Sequence, residues 1–226
     1  MAEREAFLSR VKQAAAQGRR YRPHLAAIPA GTGYLGSTEG LVQRFASEAT
    51  AVGGEIHLAK DFNAARQHLR RLLTEASARS ALCWQHDVLA RMELEPQLAA
   101  AGVATVDGAA MGKMPEAQRR RAILACDVGI TSCDLAIAET GTLLMCARPG
   151  QERVASLTPP MHIAIVERRQ IVPDLIDAFD WLAGLGLENL PSNVTLITGP
   201  SKTGDIELQL TTGVHGPGKW RVVVVG

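Results

Sequence analysis

The chain predicts an α/β fold with a mostly parallel central sheet, an antiparallel hairpin and an N-terminal helical arm. Three observations carry this. Between residues 55 and 131 short apolar runs alternate with amphipathic stretches, the pattern of successive βαβ units. Apolar runs at 135–138 and 143–147 flank Glu139-Thr140-Gly141-Thr142, which reads as two strands and a tight turn. Pro23, Pro29, Gly31, Gly33 and Gly36 crowd one short segment. That segment divides an N-terminal appendage, residues 1–37, from the α/β domain, residues 38–226.

Each element follows from local pattern. Residues 2–17 read as a helix with Phe7, Leu8 and Val11 on one face, stopped at Gly18. A helix near 38–52 precedes a strand at 55–59. Asp61 is an N-cap for a helix running to about residue 78, because its short carboxylate can accept from the first free amides. Strands at 80–84, 103–106 and 128–131 alternate with helices at 94–101 and 115–125. In the latter, Arg119, Arg120 and Arg121 sit near the helix end and oppose its dipole. Residues 163–166 and 194–197 read as buried strands, and 173–185 as a helix with Pro173 near its first turn. The final run at 220–225 is too apolar for an exposed edge.

Composition bounds the function. The 226 residues suit one domain with an extension. A net charge of +1 gives no electrostatic case for nucleic acid or a membrane surface. Aromatic content of 4% argues against a base-stacking platform. No stretch is long and apolar enough to span a bilayer. The first 22 residues lack the uninterrupted apolar run of a signal peptide, so a cytoplasmic protein is expected. Cys83, Cys126, Cys133 and Cys146 are then reduced thiols. Their spacing lacks the close runs of an iron–sulfur site, and no cofactor or metal is expected. Cys83-Trp84-Gln85-His86 resembles half a metal site, but nothing nearby completes it.

Five segments gather chemistry. Gly31-Thr32-Gly33-Tyr34-Leu35-Gly36 fits the dinucleotide fingerprint literally. The prolines before it interrupt any preceding strand, so it reads as a glycine-rich linker. Glu139 stands at the tip of two buried strands, where partial desolvation raises a carboxylate's nucleophilicity. Thr140, Gly141 and Thr142 then bring hydroxyls and open backbone to a ligand, and the alternative is a structural turn. Gly199-Pro200-Ser201-Lys202-Thr203 follows a strand with two hydroxyls and an ammonium. That set suits a phosphate or carboxylate, or else caps the next element with Asp205 as helper. Asp205 and Glu207 share a face if extended, as a cation or hydroxyl site or as a solvated pair. His215, between Gly213 and Gly216, is a candidate general base or anion donor, or a structural residue. Arg148 and Arg153 follow the hairpin and can clamp a carboxylate, or lie as ordinary surface arginines.

These segments also carry a resemblance. Gly129-Ile130-Thr131, Asp134, Ala138-Glu139-Thr140-Gly141-Thr142, Gly199-Pro200-Ser201, Asp205-Ile206-Glu207 and Gly213-Val214-His215-Gly216-Pro217 occur in one order. Over roughly residues 50–226 the chain resembles the LUD domain family, and within it the small stand-alone members. The resemblance implies a fold like the NagB/RpiA/CoA-transferase group. It also implies a part in cytoplasmic L-lactate oxidation to pyruvate beside iron–sulfur lactate-utilisation subunits. CoA-transferases of that group use a glutamate in a Glu-x-Gly turn as covalent nucleophile, and Glu139-Thr140-Gly141 is similar. Two functions are therefore open. One is an accessory subunit that binds a small anionic metabolite. The other is an enzyme of acyl or phosphorylated metabolites using Glu139 with His215.

Overall fold

The computed structural model describes residues 2–18, 40–204 and 211–226. The arm at 23–37 with its glycine motif, and the stretch holding Asp205, Ile206 and Glu207, lie outside the described residues. The chain divides into two units, residues 1–35 and 36–226. The described part of the first is one helix, α1 (Ala2–Gly18), with Phe7, Leu8 and Val11 exposed.

The second unit opens with α2 (Leu41–Ala51), β1 (Glu55–Ala59), α3 (Phe62–Glu75) and β2 (Ser80–Cys83). Asp61 caps α3 as its residue type demands, accepting from Ala64 N at 2.8 Å. The apolar stripe Ala65, Leu69, Leu72 and Leu73 turns inward, and each fully buried leucine contributes about 1.5–3 kcal/mol. Next come α4 (Asp87–Arg91), α5 (Leu94–Ala100), β3 (Ala104–Val106), α6 (Gly108–Gly112), α7 (Glu116–Leu124) and β4 (Val128–Thr131). The very short helices α4 and α6 carry too few turns to show periodicity in the sequence. The arginine-rich α7 buries no side chain.

The chain then leaves the main sheet for the hairpin β5 (Leu135–Ile137) and β6 (Thr142–Cys146), and returns through α8 (Val154–Leu157) to β7 (Met161–Glu167). It continues as β8 (Ile171–Val172), α9 (Leu175–Gly184), β9 (Val194–Ile197), β10 (Lys202–Thr203), β11 (Thr211–Thr212) and β12 (Lys219–Val225). The main sheet is wholly parallel in the order β1-β12-β7-β4-β2-β3. Its central strands β7 and β12 are almost continuously apolar because both faces are covered. A second sheet, β8-β5-β6-β9, contains the expected hairpin with β9 antiparallel along β6. Leu135, Ile137, Leu144 and Cys146 bury one side of it against Ala178 and Leu182 of α9.

One strand departs from expectation. Residues 194–197 form an edge, not a buried strand: Val194 and Leu196 are 38% and 44% exposed. A four-residue apolar run fits either environment, and only the neighbour count decides. No described helix is long and apolar enough to cross a membrane.

Candidate functional site

The hairpin turn and the segment after β9 meet at one end of the small sheet. β9 runs antiparallel to β6, with Ile197 opposite Leu143. Thr198 therefore arrives beside Thr142, and their hydroxyls lie 2.7 Å apart. Thr142 also reaches the Thr140 hydroxyl at 2.8 Å. Both turns dock on the end of α2. Gly141 has φ +62°, and a Cβ there would overlap the backbone nitrogen of Ala49. Gly199 has φ +86°, with space for a Cβ closed by Val52 O at 2.8 Å. These glycines are required by handedness and by close backbone approach together. Lys202 Nζ donates to Val52 O at 2.6 Å, at the C-terminal cap of α2. A cation there offsets the unpaired carbonyls and the negative helix end.

Ser201 and His215 belong to one place. Ser201 N donates to Pro217 O at 2.9 Å, and Gly213 N to Ser201 O at 2.9 Å. Together with Thr198 and Gly199 they line a cavity of about 250 Å³. Ser156 of α8 adds a further hydroxyl, and His162 and Trp220 are also in its wall. No Asp, Glu, Lys or Arg is among the described lining residues. His162 and Trp220 lie near the starts of β7 and β12. The cavity therefore opens at the amino ends of the central parallel strands, where the general rule for α/β sheets points to the carboxyl ends. Burial holds His162 neutral, its pKa pushed down to about 3.

The other expected site residues lie elsewhere. Glu139 is half-buried at the hairpin tip, its amide donating to Pro173 O at 3.0 Å. It lines neither this cavity nor the two larger ones. Arg153 is exposed at the start of α8 and faces a separate cavity of about 840 Å³, with Arg119 and Arg148. Arg148 is already paired with Asp134 at 2.6 Å. Thr203 is in the two-residue ladder with Thr211, and Asp205 is outside the described residues.

A third cavity, about 640 Å³, sits over the carboxyl ends of β2 and β3. Here the strand order turns back: the chain steps outward from β2 to β3, then returns to β4 on the other side of β2. His86 lies in its wall and caps α4 by accepting from Val88 N at 3.2 Å. Burial lowers its pKa, against the raising effect of Asp134 and Asp87. Among the described residues, no group of three or more His, Cys, Asp or Glu side chains is arranged to hold a metal ion.

Sequence reasoning missed His162, Trp220, Thr198 and Ser156. The available signal was polarity out of place: a histidine and an indole at the heads of two largely apolar strands.

Comparison with known proteins adds a family. The LUD domain model matches residues 42–225. A protein of Halalkalibacterium halodurans named lactate utilization protein C is 30% identical over 98% of this chain and 97% of its own length. One of the same name from an Exiguobacterium species is 44% identical over 113 residues. That match spans about half of each chain, 49% of both. A crystal structure of a DUF162 family protein from Deinococcus radiodurans superposes with a TM-score of 0.59 at 22% identity. It covers 82% of this chain and 96% of that one, and shows the same fold.

Proposed function

The chain belongs to the LUD domain family, and from that premise we propose that it is a component of lactate utilisation, working beside iron–sulfur partner proteins and binding a small carboxylate. The observation that carries the binding reading is the cavity shared by Thr198, Ser201 and His215. Its walls offer hydroxyls, an indole and imidazoles, with no acidic side chain among the described lining residues to repel an anion. Its volume of about 250 Å³ suits a molecule of a few carbons. The role in lactate utilisation is supported by the family and by the names of its relatives; the iron–sulfur partners are what the resemblance of the sequence implies. Accessory binding is favoured over covalent catalysis because Glu139 lines none of the three cavities.

The test is a thermal-shift screen of the full chain with L-lactate, pyruvate, acetate and sulfate. A ligand that binds only the folded state raises the melting temperature. L-lactate or pyruvate should do so, and Ser201→Ala should reduce the shift. Protection by sulfate alone, or a shift unchanged in Ser201→Ala, would remove this cavity as the carboxylate site.

A further inference from the structure

Two residues that line the cavity each carry a buried polar atom with no hydrogen-bond partner among the described residues: Trp220 Nε1 and His162 Nδ1. Trp220 is 1% exposed and His162 is fully buried. Leaving a buried donor unpaired is costly, and nine in ten or more buried polar groups find a partner. Two such atoms beside one cavity point to an acceptor that enters it.

The two side chains stand together for a topological reason. Trp220 and His162 are register partners on the adjacent parallel strands β12 and β7. They therefore rise from the same face of the sheet, about one strand spacing, ~4.8 Å, apart. The indole is held in one orientation. A Cβ on Gly54 would lie 2.6 Å from Cε3 and 2.7 Å from Cζ3, so the benzenoid edge is wedged against the Gly54 backbone. The pyrrole edge with its N–H is on the opposite side of the ring system.

The imidazole is fixed by its other nitrogen. His162 Nε2 and Thr131 Oγ1 lie 2.8 Å apart, and both residues are buried. The Thr131 hydroxyl carries one proton and has no other hydrogen bond among the described residues. If Nε2 carried a proton, that hydroxyl proton would have no acceptor. Both groups are satisfied when Thr131 donates to Nε2, which puts the ring proton on Nδ1. Trp220 and His162, both among the lining residues, then carry two neutral, unpaired N–H donors.

We propose that Trp220 Nε1–H and His162 Nδ1–H form a carboxylate-recognition floor that selects short-chain monocarboxylates over phosphate. This deepens the binding reading above and rests on it. Two donors carried by register partners on neighbouring strands can each meet one oxygen of a single carboxylate. A doubly charged phosphate is held best by charged donors, and the described walls contain no Lys or Arg. Leu157 and Ile197 leave room for a short apolar tail. The hydroxyl of Ser201 is available to a polar substituent on that tail. In this arrangement Trp220 and His162 determine ligand class, while Ser201 and His215 lie on the turns beside them.

The experiment titrates the full-length chain with pyruvate, L-lactate, acetate and inorganic phosphate, by calorimetry and by ¹H–¹⁵N spectra of the indole groups. Trp220→Phe assigns the Trp220 signal among the three tryptophans. The expected result is that a monocarboxylate moves the Trp220 indole resonance and phosphate does not. Trp220→Phe and His162→Gln each weaken that carboxylate about tenfold, the scale of one lost hydrogen bond to a charged group. His162→Asn, which keeps an N–H near the Nδ1 position, retains more affinity than His162→Gln. Imidazole ¹⁵N shifts of the unliganded parent should report the Nδ1-protonated tautomer. The Nε2-protonated tautomer would overturn the proposal without any ligand. So would a carboxylate that binds, is weakened by Ser201→Ala, and leaves the Trp220 resonance unmoved; the cavity reading would then survive alone. Phosphate binding as tightly as pyruvate would overturn the selectivity. No binding by any carboxylate would overturn the floor and the binding reading together. The spectra and tautomer come from the parent protein, so a variant that fails to fold does not remove the test.

Discussion

Thr142 and Thr198 share a hydrogen bond of 2.7 Å between their hydroxyls, across 56 residues of sequence. It joins the tip of the hairpin to the segment that leaves β9. Thr142 is buried and also serves Thr140, so Thr142→Val removes two partners in one isosteric change. The expected loss is about 1–2 kcal/mol. A double-mutant cycle with Thr198→Val, followed by urea denaturation, should give a coupling of about 0.5–1.5 kcal/mol. Strict additivity would show that the contact does not hold the turns together.

Lys202→Met should act on the helix rather than on ligand binding. The ammonium donates to the carbonyl of Val52 at the end of α2. Its loss should cost about 0.3–1 kcal/mol of stability. Affinity for pyruvate or lactate should change by less than about threefold. A tenfold loss of affinity with unchanged stability would return Lys202 to the ligand.

Stability should fall as pH drops below the ordinary histidine range. In the folded protein burial holds the pKa of His162 near 3, and burial also lowers those of His57 and His86. The unfolded chain takes up these protons from about pH 6.5 downward. Each depressed histidine therefore contributes stability that is complete above the unfolded value and is lost as pH falls toward the folded one. For His162 that window runs from 6.5 to about 3. Between pH 6 and 5, His162→Gln should flatten the slope of unfolding free energy by about 1 kcal/mol per pH unit. A slope identical to the parent would mean that His162 is not held neutral.

The four cysteines should resist thiol reagents until the protein unfolds. All four are buried, and burial is the first cause of their weakened acidity. It pushes Cys83 up to about 12, Cys126 and Cys146 to about 11, and Cys133 well above its ordinary value. Reaction follows the thiolate, so native protein near pH 8 should label slowly and urea should expose four equivalents. The purified chain should also be colourless. Fast labelling or iron–sulfur absorbance in the native protein would contradict this.

The α/β class was legible because apolar runs and helical stripes are local signals. Asp61 and the Glu139–Thr142 turn were legible for the same reason, each being a short-range rule about caps or turns. β9 was misjudged because its burial depends on whether another strand covers it. The position of Lys202 was hidden because its partner, Val52, is 150 residues away. His162 and Trp220 were hidden because their shared face exists only once β7 and β12 are in register. Ser201 and His215 share one cavity while Glu139 and Arg153 lie away from it, a division set by strand placement that residue type does not reveal.

The cavity's position at the amino ends of the strands has an electrostatic consequence. Helices α2, α7 and α8 each finish just before a main-sheet strand begins, so this edge of the layer gathers helix carboxyl ends, the negative poles of their dipoles. An anion at the opposite edge would be attracted by helix amino ends; here it meets a slightly hostile field. Attraction must then come from short-range contacts with neutral donors. Such binding changes little with ionic strength, because few mobile counterions are displaced when an uncharged floor takes up a single negative charge. Affinity measured in low and high salt should therefore agree closely.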